Sequence, residues 1–208
     1  YSSEEILGHL AANSDSSVES TQRDAWMEQI TVLKESLVGR SGDIFLEFNI
    51  PRMGKRIDAV LLEGPVIFAI EFKVGAATFD RAAIDQVWDY ALDLKNFHEA
   101  SHNEVIAPIL VATKVESEIK VDLHLDPDDV YRPIKIGAKE IKNVIESVLR
   151  HVTGDLINAQ DWTESSYCPT PTIIEAARSL YAEHSVDAIA RYDAGAKNLH
   201  LTTGRIDE

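Results

Sequence analysis

The run Val66-Ile67-Phe68-Ala69-Ile70-Glu71-Phe72-Lys73-Val74 is apolar at every position until Glu71 and Lys73 interrupt it. A strand alternates its faces residue by residue. A segment apolar on both faces must therefore be covered on both, which places it at the centre of a sheet. That requirement sets the expected architecture: a central strand, flanking strands, and helices above and below.

The neighbouring segments supply those parts. Ile44, Leu46, Phe48 and Ile50 alternate with polar positions, so 43–50 reads as a first strand. Pro51-Arg52-Met53-Gly54-Lys55 is a turn, Arg56 to Leu62 a second strand, and Glu63-Gly64-Pro65 a second turn. Upstream, Trp26, Ile30, Leu33 and Leu37 share one helical face, predicting a helix over 21–38 that Gly39 and Gly42 end. A short apolar stretch and an Asn13-Ser14-Asp15-Ser16-Ser17 loop come before it.

Asp80 is placed to cap a long helix reaching about His98. A buried strand over 105–113, a last strand over 130–136 and an amphipathic helix over 139–152 follow. Composition changes after Gly154, where Trp162 to Pro171 is aromatic, polar and proline-containing, and a helix is predicted over 172–183. The expected fold is α/β, a central mixed sheet flanked by helices. The expected division is a domain over 1–153 and a linker or helical extension over 154–208.

The chemistry concentrates in the central hairpin. Glu71 and Lys73 lie two apart and project from one face, while Ile70 and Phe72 project into the opposite layer. An acid and an amine ending an apolar strand are costly to bury without partners. Asp58, on the adjoining strand, can lie beside Glu71. Two neighbouring carboxylates repel unless a cation lies between them, and a hard divalent ion such as Mg2+ or Mn2+ suits an all-oxygen site. Such an ion activates water and neutralises phosphoryl charge, and Lys73 is placed to assist. Gln86 and Tyr90 fall one turn apart on the next helix and can reach back over the site.

A formal net charge of -15 argues against broad electrostatic binding to nucleic acid. A nuclease reading needs a local basic patch, and Arg52, Lys55, Arg56, Lys73 and Arg81 cluster in sequence around the proposed site. The plain alternative is that the charge serves solubility. No apolar run approaches the roughly 20 residues that span a bilayer, and the polar start Tyr1-Ser2-Ser3-Glu4-Glu5 is not a secretory signal. A chain opening on Tyr1 is expected to begin inside a longer one. The lone Cys168 fits a reducing cytoplasm.

Asp58, Glu71-Phe72-Lys73 and Gln86-x-x-x-Tyr90 together resemble the PD-(D/E)xK nuclease superfamily, in its RecB-like Gln-x-x-x-Tyr branch, over roughly residues 20–150. The resemblance implies a restriction-endonuclease-like core that cuts DNA, or RNA, with Mg2+ or Mn2+. It implies Asp58, Glu71 and the Phe72 carbonyl as metal ligands and Lys73 as the catalytic lysine. Ile57 stands where the motif's proline is expected. The superfamily often adds a further glutamate: Glu47 in the first strand is the first candidate here and Glu28 the second, Glu35 also being available. Phe45 to Pro51, Gln86 to Lys95 and Trp162 to Ala177 are similar to the N-terminal part of Schlafen-group-3-like DNA/RNA helicases, implying a following helicase motor. The chain has no Gly-x-x-x-x-Gly-Lys phosphate loop, so ATP hydrolysis is not expected of it.

Two other readings compete. His98-Glu99-Ala100-Ser101-His102 matches His-Glu-x-x-His, which binds zinc when both histidines share a helical face and a third ligand, such as Glu116 or Glu118, joins them. Alternatively, the nuclease fold is an inactive module that docks nucleic acid or protein.

Overall fold

The computed structural model describes residues 1–14, 19–115 and 121–167. Five strands form one mixed sheet in chain order: β1 (Asp43–Ile50), β2 (Lys55–Glu63), β3 (Val66–Lys73), β4 (Val105–Ala112) and β5 (Ile134–Gly137). The first two connections are tight turns containing Gly54 and Gly64, both at positive φ, and they give antiparallel pairs. The third must cross over through a helix, because β4 runs parallel to β3. That helix is α3 (Arg81–Phe97), capped by the Asp80 carboxylate on the Ala83 N–H. β5 is parallel to β4.

Every residue of β3 from Val66 to Phe72 is buried, as a central strand requires. On one face, Val60, Leu62, Ile67, Ala69 and Ile106 meet Tyr90, Ala91 and Leu94 of α3. On the other, Ala59, Leu61, Phe68, Ile70 and Val111 meet Leu33 of α2 (Ser20–Ser36) and Val144, Ile145 and Val148 of α4 (Ile141–Leu149). The expected α/β architecture, a central mixed sheet flanked by helices, is the one observed. Among the described residues no helix is long and apolar enough to cross a membrane.

Three details differ from expectation. A helix, α1 (Ser3–Ala12), forms near the N-terminus, opened by a reciprocal Ser2–Glu5 capping box. The last strand starts at Ile134 and not at Val130, because Pro133 has no N–H for the ladder; Val130 makes an isolated bridge to Ile106. The 154–208 segment begins as part of the packed body. Its short helix α5 (Ala159–Thr163) drives Trp162, 1% exposed, against Phe45, Phe48 and His98. Residues 15–18, 116–120 and 168–208 lie outside the description, and with them part of the predicted N-terminal loop, Glu116, Glu118, Cys168 and the helix predicted over 172–183.

Candidate active site

The ladder between β2 and β3 ends at the pair Ala59–Ile70, whereas β3 stays paired with β4 through Lys73–Ala112. β2 continues to Lys55 but parts from β3 there, so Glu71, Phe72 and Lys73 have no ladder partner on that side. Asp58 fills that side with its own carboxylate: Oδ2 accepts the Phe72 N–H at 2.7 Å. The N–H and C=O of one strand residue point toward the same neighbour, so the Phe72 carbonyl faces the same gap. The sheet thus ends in a notch lined by oxygen.

Glu71 and Lys73 share the α3 face with Ile67 and Ala69, while Phe72 packs in the opposite core. Gln86 of α3 ties them together. Its Nε2 donates to Glu71 Oε1 at 2.9 Å and to Tyr90 Oη at 2.6 Å, and its Oε1 accepts from Lys73 Nζ at 3.0 Å. Lys73 Nζ also donates to Glu71 Oε1 at 3.0 Å. Glu71 is 4% exposed, and its second oxygen, Oε2, is buried with no hydrogen-bond partner among the described residues. A buried carboxylate oxygen without a donor is expensive.

The electrostatics agree with the geometry. Burial, then the charge of Glu71, push the Asp58 carboxyl up to about 8, with the Phe72 N–H partly opposing them. Burial also raises Glu71, against the charge and hydrogen bond of Lys73. Glu47 adds its negative charge to both effects. Burial raises the Tyr90 phenol, which the Gln86 bond partly offsets. In all three groups burial, which disfavours the charged form, is the largest cause.

No protein-family model matches the chain, and no curated protein matches it. Among solved structures it is similar to the small subunit of the heterodimeric restriction endonuclease R.BspD6I. The identity is 12% over 91% of this chain and 95% of that one, with a TM-score of 0.35. A likeness this remote carries no argument about the activity of this chain.

Asp58, Glu71, Lys73, Gln86 and Tyr90 are brought together as the sequence spacing implies. Glu47 lies on β1 at the level of Asp58, where the β1–β2 ladder is interrupted, at φ +53, and accepts the Trp26 indole N–H at 2.6 Å. Glu28 is half-buried and Glu35 exposed on α2. Among the described residues no group of three or more His, Cys, Asp or Glu side chains converges to hold a metal. The notch offers two carboxylates and a main-chain carbonyl.

The basic residues divide. Arg52 donates to Asp93 at 2.8 Å and stacks over the Phe97 ring at 3.9 Å, at the far end of α3 from the notch. Its role is to hold the hairpin tip down. Arg81 is almost fully solvent-exposed and pairs with Asp85 one turn along its own helix. Arg56 lies 3.7 Å from Glu47 Oε2, and Lys55 is exposed at the start of β2. A cleft between α1 and β1, lined by Asn13, Glu47, Asn49 and Arg56, opens beside them; Asn13 and Asn49 carried no sequence signal.

The zinc-peptidase reading is overturned. α3 ends at Phe97, His98 takes an extended conformation, and Glu99–Ser101 form a separate 3-10 turn. The two histidines therefore do not share the one helical face that zinc chelation at this spacing requires. His98 instead shares a 2.7 Å hydrogen bond with Ser101 and stacks on Trp162 and Tyr167, and burial lowers it to about 4.

Proposed function

We propose that this chain is a metal-dependent nuclease on a restriction-endonuclease-like core, hydrolysing phosphodiester bonds in DNA or RNA. The observation that carries the reading is Glu71 Oε2, a buried acceptor with no donor among the described residues, in a notch shared with Asp58 and beside Lys73. Asp58, Glu71 and the Phe72 carbonyl form an oxygen-only set that suits Mg2+ or Mn2+. When bound, the ion supplies Lewis-acid stabilisation of phosphoryl charge and lowers the pKa of water.

The chain's own groups supply the rest. An ammonium has three donors, and Lys73 gives two of them to Glu71 and Gln86. The third is directed to an incoming water or to a non-bridging phosphoryl oxygen. Gln86 fixes the lysine and Glu71 at once, and Tyr90 fixes Gln86. Such held donors act on charge as it develops, without first having to reorganise. Lys55, exposed at the start of β2, is the basic residue best placed to meet phosphate. A place as the nuclease module of a helicase-nuclease rests on the sequence resemblance alone.

A second reading, an inactive docking module, is favoured by the engagement of Arg52 with Asp93 at the far end of α3, which takes one basic residue away from the notch. Incubation with plasmid and single-stranded DNA in Mn2+ separates the two. The nuclease reading expects cleavage that falls roughly 100-fold or more in Lys73→Met and disappears in Glu71→Ala and with chelator. Equal cutting by wild type and variants would trace it to a contaminant, and no cutting by wild type supports the docking module.

A further inference from the structure

Glu47 adopts a left-handed backbone conformation, φ +53, inside a strand. Glycine or asparagine would hold that shape with less strain, so a glutamate there points to a use for the carboxylate. The carboxylate is gripped from two sides. Trp26 Nε1 donates to Oε1 at 2.6 Å, and Arg56 lies 3.7 Å from Oε2. Trp26 is itself 3% exposed on α2, so its indole is a fixed donor.

The place of the strain matters. The β1–β2 ladder pairs Leu46 with Ala59 and Phe48 with Ile57, and skips Glu47 and Asp58 between them. The faces also change there: Ala59 and Leu61 enter the α4-side core, whereas Ile57, two residues earlier, enters the α3-side core. The hairpin therefore bends at the Glu47–Asp58 level. Beyond the bend it folds over α3, where Arg52 reaches Asp93 and Phe48 packs on Trp162. Asp58 sits at the bend, and its reach to the Phe72 N–H depends on the bend's angle.

We propose that Glu47 is a positioning residue of this same site: gripped by Trp26 and Arg56, it fixes the hairpin bend that delivers Asp58 to Phe72 and Glu71. This deepens the cation-site reading and rests on it for its functional meaning, but the positioning itself is measurable without metal. Amide exchange at Phe72, followed by NMR on the full chain, reports the Asp58 bond directly. Glu47→Gly keeps the backbone shape without strain and removes the carboxylate, and Trp26→Phe removes the donor.

Both variants are expected to exchange the Phe72 amide about fivefold to tenfold faster, the change expected for one hydrogen bond. Both should weaken Mn2+ binding by calorimetry in the same direction. Glu47→Gln, whose amide oxygen still accepts from the indole, should rescue both readouts toward wild type. Wild-type exchange in Glu47→Gly, or Glu47→Gln as fast as Glu47→Gly, would overturn the proposal. A wild-type protein that takes up no Mn2+ would instead sink the cation reading, while the Phe72 amide still decides the role of Glu47.

Discussion

Asp58 and Glu71 face a shared notch, where burial raises both carboxyls and the charge of Glu71 raises Asp58 further. A carboxyl raised in the folded state contributes stability that is complete below its ordinary value near 3.8 and lost as pH rises toward about 8. His98 acts oppositely. Held neutral down to about 4, it takes stability away as pH falls below its ordinary 6.5. Between about 6.5 and 8, therefore, the Asp58 carboxyl sets the trend. The melting temperature of chelated protein is expected to fall across that interval, and Asp58→Asn should flatten the fall. Mn2+ should raise the melting temperature more at pH 8 than at pH 6.5, since metal and proton compete for the same oxygens. A chelated protein with a flat profile there would show that the notch ionises freely. The left-handed Glu47 belongs to this scale too: such a backbone costs roughly 1–2 kcal/mol for a side chain with a Cβ.

The hairpin is the element on which the site turns, and it is anchored at its tip. Asp93, 2% exposed, accepts from Arg52 at 2.8 Å and from the Tyr167 hydroxyl at 2.6 Å. Arg52→Ala leaves Tyr167 as a donor and should cost about 1.5–3 kcal/mol in urea unfolding, the range for hydrogen bonds to a charged group. Asp93→Ala strands both donors and should cost more; equal losses would mean that Arg52 carries the anchor alone. This arrangement explains what sequence could reveal. β3 and α3 are readable because a run apolar on both faces has to be central and because Asp80 marks the start of the helix. The Glu71–Lys73–Gln86–Tyr90 grouping followed from the strand and helix periods. The bend at Glu47 did not, because residue alternation carries no information about the sign of φ. Arg52 was expected near the site because it is close in sequence, but the bend carries it to the other end of α3. The His98–His102 spacing forms no chelate because α3 stops at Phe97, before either histidine. The Ser2–Glu5 capping box was a readable sign of α1 that the apolar pattern alone did not convey.

At the scale of the whole molecule, the C-terminal extension helps hold the body together. Trp162 is buried between Phe45 and Phe48 of the hairpin and His98 at the end of α3, with its indole donating to Ser101 at 2.9 Å. Trp162→Ala should destabilise the protein by about 3–5 kcal/mol, and shortening the chain to 1–153 should cost at least as much; an unchanged melt in either would make the extension dispensable. The order of the strands in the sheet is also their order in the chain. Glu47, Asp58, Glu71, Lys73, Gln86 and Tyr90 thus come from one unbroken stretch, with Trp26 as an outlying brace. Such a stretch can be inherited as a single cassette. Insertions in the loops beyond that stretch would leave its parts in register with one another, provided that β4 still covers the edge of β3.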